Sequence, residues 1–81
     1  MAGRSKDVAS AYGFVAVTPS DATIIPATRG IYIGVAGDVY IDGAGYGTNV
    51  KMTAAVAGEH AWQVTRVYST GTTATGIVAL Y

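Results

Sequence analysis

The sequence predicts an all-β fold: a small antiparallel β-sandwich or barrel of about six short strands, with an extended N-terminal arm. Ten valines and six isoleucines supply most of the apolar bulk, and β-branched side chains favour strands. Apolar residues also recur at every second position, as at Ile31, Ile33, Val39 and Ile41, which is the period of a half-buried strand. Glycine, proline and threonine divide these runs into short pieces.

The first strand is predicted at residues 14–18, after a segment without apolar periodicity. We therefore divide the chain into an N-terminal arm, residues 1–13, and a single β domain, residues 14–81. Pro19 and Pro26 follow the first strand. Because proline lacks the amide hydrogen that a central ladder requires, both residues indicate a connection rather than a strand.

The next two strands are predicted as a hairpin whose three-residue loop ends at Gly37. With Gly37 in the left-handed conformation, Ile33 would oppose Val39, and Tyr32 would oppose Tyr40. This register places the apolar pairs on the core face and the tyrosine pair on the other face.

Three more strands are predicted at residues 49–54, 61–68 and 77–81. The last of these is apolar on both faces, so we expect it in the centre of a sheet or under a cover. The glycine-rich loop at residues 42–47 carries Tyr46, which is either a partner anchor or a lid over its own sheet. The threonines of residues 69–76 are expected to stiffen a turn through local hydrogen bonds.

Composition limits the classes of function. The chain has no cysteine and one histidine, which predicts neither a disulfide framework nor a closed structural zinc site. Five basic and five acidic residues form no basic stripe for nucleic acid, and no apolar run reaches the ~18 residues of a membrane span. Only 12% of the residues are charged, against ~25–35% on a typical soluble surface, so we expect part of the surface to be interface and the protein to be a homo-oligomer.

The residues that usually carry chemistry are few. His60 lies beside Glu59 at a predicted turn and is interpreted as a solvated histidine rather than a base. Asp38 and Asp42 would lie ~13 Å apart along a strand, which is too far for a catalytic carboxylate pair, and they lack the calcium-loop spacing. Both are interpreted as solvated turn residues that flank the strand. The glycine strings lack the helix or the lysine of a phosphate loop. We therefore predict no enzyme, no catalytic residue, no metal site and no cofactor.

Tyrosines are the main candidates for partner contact, since a tyrosine tolerates a half-wet interface. Tyr32 and Tyr40 are the strongest pair, because the predicted hairpin would expose both; the alternative is a cross-strand pair on an exposed face. Trp62 is expected in the core. The full set of predicted interface residues is Arg4, Lys6, Tyr12, Tyr32, Tyr40, Tyr46 and Tyr81.

Four blocks of the sequence match one protein family in their order and spacing. They are Phe-Val-Ala-Val-Thr-Pro-Ser-Asp at 14–21, Thr-Arg-Gly-Ile-Tyr-Ile-Gly-Val-Ala-Gly-Asp-Val at 28–39, the Val-Ala-Gly turn at 56–58 before the strand that contains Arg66, and Thr-Gly-Thr-Thr-Ala-Thr followed by Ile-Val-Ala-Leu-Tyr at 70–75 and 77–81. With these blocks the chain resembles the head spike base proteins of gene transfer agents and related tailed phages. It departs from that family in its glycine-rich stretch at 43–47 and in Trp62.

The resemblance implies a non-enzymatic structural protein on the outside of a capsid, within a virion assembled from proteins made in the cytoplasm of a bacterial host. Its partners would be the major capsid protein, a spike or fibre protein and further copies of itself, with neither nucleic acid nor membrane. Two roles stay open within this class: a seat for a head spike or fibre, and a decoration or cement protein spread over the shell. From the residues alone, the alternative is a carbohydrate- or ligand-binding β module that uses Tyr32, Tyr46 and Trp62 as a platform.

Overall fold

The computed structural model describes residues 12–81, which form seven β-strands and no helix. The strands are β1 (Phe14–Ala16), β2 (Gly30–Ile33), β3 (Gly37–Gly43), β4 (Val50–Ala55), β5 (Gly58–His60), β6 (Val64–Val67) and β7 (Val78–Leu80). They build a four-stranded sheet in the order β1-β7-β2-β5 and a three-stranded sheet in the order β4-β3-β6, with every pairing antiparallel. The predicted all-β class is confirmed, with β5 as a strand that the sequence pattern did not indicate.

The core contains the alternating residues of strands from both sheets. Ile31 and Ile33 on β2 and Val39 on β3 are completely or almost completely buried. The other buried members of this cluster are Ile41, Ala55, Val64, Val67, Ala74 and Ile77. The period-two pattern thus identified the core residues of β2 and β3, because alternation along a strand fixes which face is buried, whereas on β6 the buried Val64 and Val67 do not alternate.

A buried threonine fastens the connection between β1 and β2, residues 17–29, to β6. The Thr28 hydroxyl donates to the Trp62 carbonyl at 2.9 Å and accepts from the Val64 amide at 3.0 Å. Earlier in the connection, the Ser20 amide donates to the Val67 carbonyl at 2.9 Å, and the Ile25 amide donates to the Thr65 carbonyl at 2.8 Å. The connection therefore covers the side of β6 that faces away from β3.

The predicted hairpin between β2 and β3 is wrong. β2 pairs with β5 and β7, whereas β3 belongs to the other sheet, so Tyr32 and Tyr40 do not oppose each other. Between the two strands, Val35 forms an isolated antiparallel bridge to Thr75, with the Val35 amide 2.9 Å from the Thr75 carbonyl. A hairpin and a connection that crosses between the sheets would bury the same apolar residues. The alternation of those residues in the sequence therefore could not distinguish the two arrangements.

The strand at the C-terminal end of the sequence lies between β1 and β2, as expected from its two apolar faces. Ile77, Ala79 and Leu80 are buried within the described part of the chain itself.

The threonine-rich segment makes one local hydrogen bond, from the Thr72 amide to the Ser69 carbonyl at 3.4 Å, but its threonine hydroxyls bond to distant residues. The Thr72 hydroxyl accepts from the Tyr40 amide at 3.1 Å, and the Thr73 hydroxyl accepts from the Asp38 amide at 2.9 Å. Gly71 precedes them with a φ of 86°, and a Cβ at this position would lie 2.5 Å from the Tyr40 ring. The segment therefore takes the place of a neighbouring strand beside the first half of β3.

Candidate partner-binding surface

Among residues 12–81, the backbone of β1 is paired on one side only. The Gly13 amide donates to the Tyr81 carbonyl at 3.1 Å, the Tyr81 amide donates to the Gly13 carbonyl at 2.8 Å, and the Val17 amide donates to the Ile77 carbonyl at 2.9 Å. In an antiparallel pair, such bonds fall on alternate residues. Val15 therefore bonds to β7, and the amides and carbonyls of Phe14 and Ala16 point away from the sheet. We call this side the β1 edge, residues Phe14, Val15 and Ala16.

The side chains of the β1 edge are apolar and open to solvent. Phe14 is 66% exposed and Val15 is 55% exposed, and the strand carries no charge. Natural proteins usually protect an edge with charged residues, proline or a covering segment, because a free edge is a template for another strand. The β1 edge has no such protection from the described residues.

The outer face of the four-stranded sheet continues this apolar surface. The registers place Ala16, Val78 and Tyr32 in one cross-strand row and Phe14, Leu80 and Gly30 in the next. Leu80 is buried within the row, whereas Tyr32 is 42% exposed. Glu59, opposite Tyr32 on β5, adds a carboxylate at the far side of this face.

The inner side of β1 borders an open groove of about 570 Å³. Its apolar walls include Val15, Val17, Pro19, Ile25 and Tyr81. Val15 shares its face with the buried Ile31 and Ala79, yet it stays exposed because the three-stranded sheet does not cover this end of the sandwich.

Three predicted interface residues lie on the four-stranded sheet or beside it. The Tyr12 side chain is 92% exposed at the start of β1, and the Tyr12 amide donates to the Tyr81 carbonyl at 2.5 Å. Tyr81 is half-buried, and its hydroxyl donates to the Pro26 carbonyl at 3.1 Å. Tyr32 lies on the outer face. Arg4 and Lys6 fall outside the described residues.

The other two predicted tyrosines belong to the three-stranded sheet. Tyr40 is half-buried against Gly71, with the Lys51 ammonium 5.9 Å from its ring centroid. Tyr46 is 95% exposed, in a loop closed by the Gly43 amide and the Gly47 carbonyl at 2.9 Å. The structure therefore divides the predicted tyrosines between the two sheets instead of placing them on one surface.

A polar network links β3 and β6. Asp42 opposes Arg66 in the register, and the Arg66 Nε lies 3.5 Å from the Asp42 Oδ2 without hydrogen-bond geometry. The Asp42 Oδ1 accepts from the Asn49 amide at 2.8 Å and from the Tyr68 hydroxyl at 2.7 Å. These bonds, led by that of Asn49, lower the pKa of Asp42, and the bond to Asp42 raises the pKa of Tyr68.

Asp21 forms a second polar anchor. Its carboxylate accepts from the Thr70 hydroxyl, from the Thr70 amide at 3.0 Å and from the Ser69 amide at 2.9 Å. The bonds from Thr70 lower the pKa of Asp21. A shallow hollow of about 350 Å³ lies between these groups, lined by Asp21, Tyr40, Asn49, Tyr68, Thr70 and Gly71. The bond between Asp42 and Tyr68 and the bonds of Asp21 to Ser69 and Thr70 join residues 26 or more positions apart, so no local sequence signal indicated them.

Asp38 and His60 are also structural, which corrects their assignment to solvated turns. The Asp38 Oδ1 accepts from the Ala54 amide at 2.8 Å, across the bulge where β3 pairs with β4. His60 lies on β5, where its ring stacks on Trp62 at 4.3 Å and its Nε2 lies 2.7 Å from the Val56 carbonyl. Trp62 is partly buried and packs against the core, as expected.

The rings proposed as a sugar platform belong to three separate elements. Tyr32 lies on β2, Tyr46 follows β3, and Trp62 lies between β5 and β6 with His60 as its stacking partner. Within residues 12–81, no three His, Cys, Asp or Glu side chains are grouped to hold a metal ion. The same residues contain no helix long and apolar enough to cross a membrane.

The fold and its surfaces define a class: a small two-sheet β module whose exposed face and free edge are apolar and suited to contact with other protein surfaces. The chain is similar to one in a solved structure described as "Capsid of native GTA particle computed with C5 symmetry", with 27% sequence identity and a TM-score of 0.76. The similarity covers 89% of this chain and 84% of that chain and supports a protein related to capsids of gene transfer agents and phages. Neither a protein-family model nor a curated protein sequence matches the chain significantly.

Proposed function

We propose that the protein is a non-enzymatic structural component of a virion, bound to the outside of the capsid through oligomeric β modules. In this role it either seats a head spike or fibre or decorates the shell. Its partners are the major capsid protein, further copies of itself and, in the first case, a spike or fibre protein.

The observation that carries this proposal is the extent of the match to the GTA capsid chain. Because 89% of this chain and 84% of the other align with a TM-score of 0.76, the similarity concerns the whole module rather than a shared motif. At 27% identity over that length, a common role in the particle is the simplest interpretation.

The surface chemistry agrees with a role in protein contacts. The outer face presents Phe14, Ala16 and Tyr32 with one carboxylate at its far side, and only 12% of the whole sequence is charged. An exposed apolar face of this kind is typical of a surface that another protein covers.

Reconstruction of the intact particle tests the proposal and separates its two versions. Copies confined to special vertices support a seat for a spike or fibre, and copies at every equivalent local axis support decoration of the shell. A particle without this chain on its exterior would contradict both.

Co-sedimentation of the purified full chain with empty capsid shells provides a simpler test. We expect saturable binding, with His60→Ala binding as the wild type does because its ring is engaged within its own fold. A monomer that ignores the shells but binds glycans saturably would contradict the proposal and favour the carbohydrate-binding alternative.

A further inference from the structure

Four strands lie at the ends of the two sheets, and β1 differs from the other three. The side of β6 away from β3 is covered by residues 17–29. β4 carries Lys51 and β5 carries Glu59, both exposed charges that discourage pairing with another strand. β1 combines outward-pointing backbone groups on Phe14 and Ala16 with uncharged, exposed side chains, so it is the edge best suited to accept a strand.

The residues that precede β1 are poorly suited to turn back and cover their own edge. Tyr12 and Gly13 both bond to Tyr81, so they continue the line of β1 along β7. A tight hairpin needs glycine, asparagine or aspartate at its turn, and residues 4–12 contain only Asp7 of these.

The same segment is well suited to reach the edge of another copy. Eleven residues precede Tyr12, and in an extended conformation they span ~36 Å, more than the ~30 Å diameter of a small domain. Residues 8–11, Val-Ala-Ser-Ala, are uncharged and small, which fits an apolar edge with an open groove beside it. Every copy supplies one such segment and one such edge.

We propose that residues 1–11 of a second copy add a strand to the β1 edge, so that copies join head to tail through arm exchange. Main-chain hydrogen bonds to Phe14 and Ala16 would provide the contact, as in other cases of strand addition. Such a contact joins two different surfaces, so it produces a closed ring where the rotation between copies allows closure. The inference rests on the proposed oligomeric role and names the contact that joins the copies.

Two variants each remove one half of the contact. Deletion of residues 1–11 removes the arm and keeps the edge. Ala16→Pro keeps the arm and removes the outward amide that a new strand would use, and proline is tolerated at such edge positions. Ala16→Lys is a second edge variant, since an edge lysine opposes pairing without constraining the backbone. Circular dichroism of each variant verifies that the β signal is retained.

Light scattering of each variant alone and of their mixture tests the proposal. We expect an oligomer for the wild type, a monomer for each variant, and a dimer with one chain of each kind when the arm deletion is mixed with an edge variant. Oligomers of the arm-deleted chain would overturn the inference in favour of direct pairing between β1 edges. A monomeric wild type would also overturn it.

Binding to shells separates this inference from the proposed function. If the variants fail to complement each other but the wild type still binds shells, only the arm exchange is wrong. If the wild type neither binds shells nor occurs on particles, the proposed function is wrong as well.

Discussion

The two edges that border the connection at residues 17–29 contrast with each other. β6 is closed: the connection bonds to its carbonyls through Ser20 and Ile25, and Thr28 is buried beside it. β1, from which the same connection departs, has no partner for the outward backbone groups of Phe14 and Ala16 among the described residues. Within residues 12–81, the outer side of β6 is thus covered and the outer side of β1 is not.

In this small domain, the connection at residues 17–29 covers β6 and does not cover β1. The Thr28 hydroxyl stabilises the β6 side through its bonds to Val64 and Trp62. Natural proteins rarely leave an uncharged edge unprotected. The open edge is therefore interpreted as a surface retained for a partner, and substitutions on the two sides should have different effects.

The largest difference is expected for valine-to-alanine substitutions. Val64→Ala on β6 removes two buried methyl groups from a side chain that is 1% exposed, and we expect a loss of about 2–3 kcal/mol in the free energy of unfolding. The matched control, Val15→Ala on β1, should cost less than about 1 kcal/mol because that side chain is 55% exposed. Urea unfolding of both substitutions in the chain that lacks residues 1–11, which is expected to be a monomer, measures both losses, and equal losses would contradict the contrast between the two edges.

A smaller effect is expected where the connection is fastened to β6. Thr28→Val keeps the shape of the side chain but leaves the Val64 amide and the Trp62 carbonyl without their partner, which should cost about 1–3 kcal/mol. Thr53→Val, on the exposed strand β4, is the control and should change stability by less than about 0.5 kcal/mol. If thermal unfolding shows the same midpoint for both variants, the buried hydroxyl does not fasten the connection.

The smallest effect is expected in the dependence of stability on pH. The pKa of Asp42 is lower in the folded chain than in the unfolded chain, so its contribution is complete above pH ~4 and is lost as the pH falls through the folded value. Asp42→Asn should therefore reduce the acid-dependent part of the unfolding free energy. Tyr68→Phe removes one donor to this carboxylate and should give an intermediate profile.

Unfolding curves at pH values from 2 to 7 provide the measurement. Identical profiles for the wild type, Asp42→Asn and Tyr68→Phe would show that this network contributes nothing that depends on pH.

Much of the fold could be predicted because local physics decides it. Alternation identified Ile31, Ile33 and Val39 as core residues, and the two apolar faces of residues 77–81 placed that strand inside a sheet. The pairing of strands could not be predicted in the same way. β2 and β3 are consecutive, yet they lie in different sheets, because Val35 bonds to Thr75 forty positions away.

The candidate surface was predicted in part. The exposed positions of Tyr12, Tyr32 and Tyr46 agree with a role in contacts, which stays a prediction. The β1 edge was missed as a site, since Phe14, Val15 and Ala16 are apolar on both faces, a pattern that favours a central strand, although the strand lies at the end of its sheet. Asp38 and Asp42 were expected to be solvated, but both accept hydrogen bonds from backbone amides. The sequence could not indicate these bonds, because the amides become neighbours of the two carboxylates only when β3 and β4 pair.

The sequence by itself determined the class of fold, the buried face of β2 and β3 and the scarcity of charge, because propensity, alternation and composition act over a few neighbouring residues. Only the tertiary structure decided which strands share a sheet, which carboxylates bind backbone amides and which edge is left open. Those features depend on contacts between residues far apart in the chain, whose free energies are gained only when both sheets have formed.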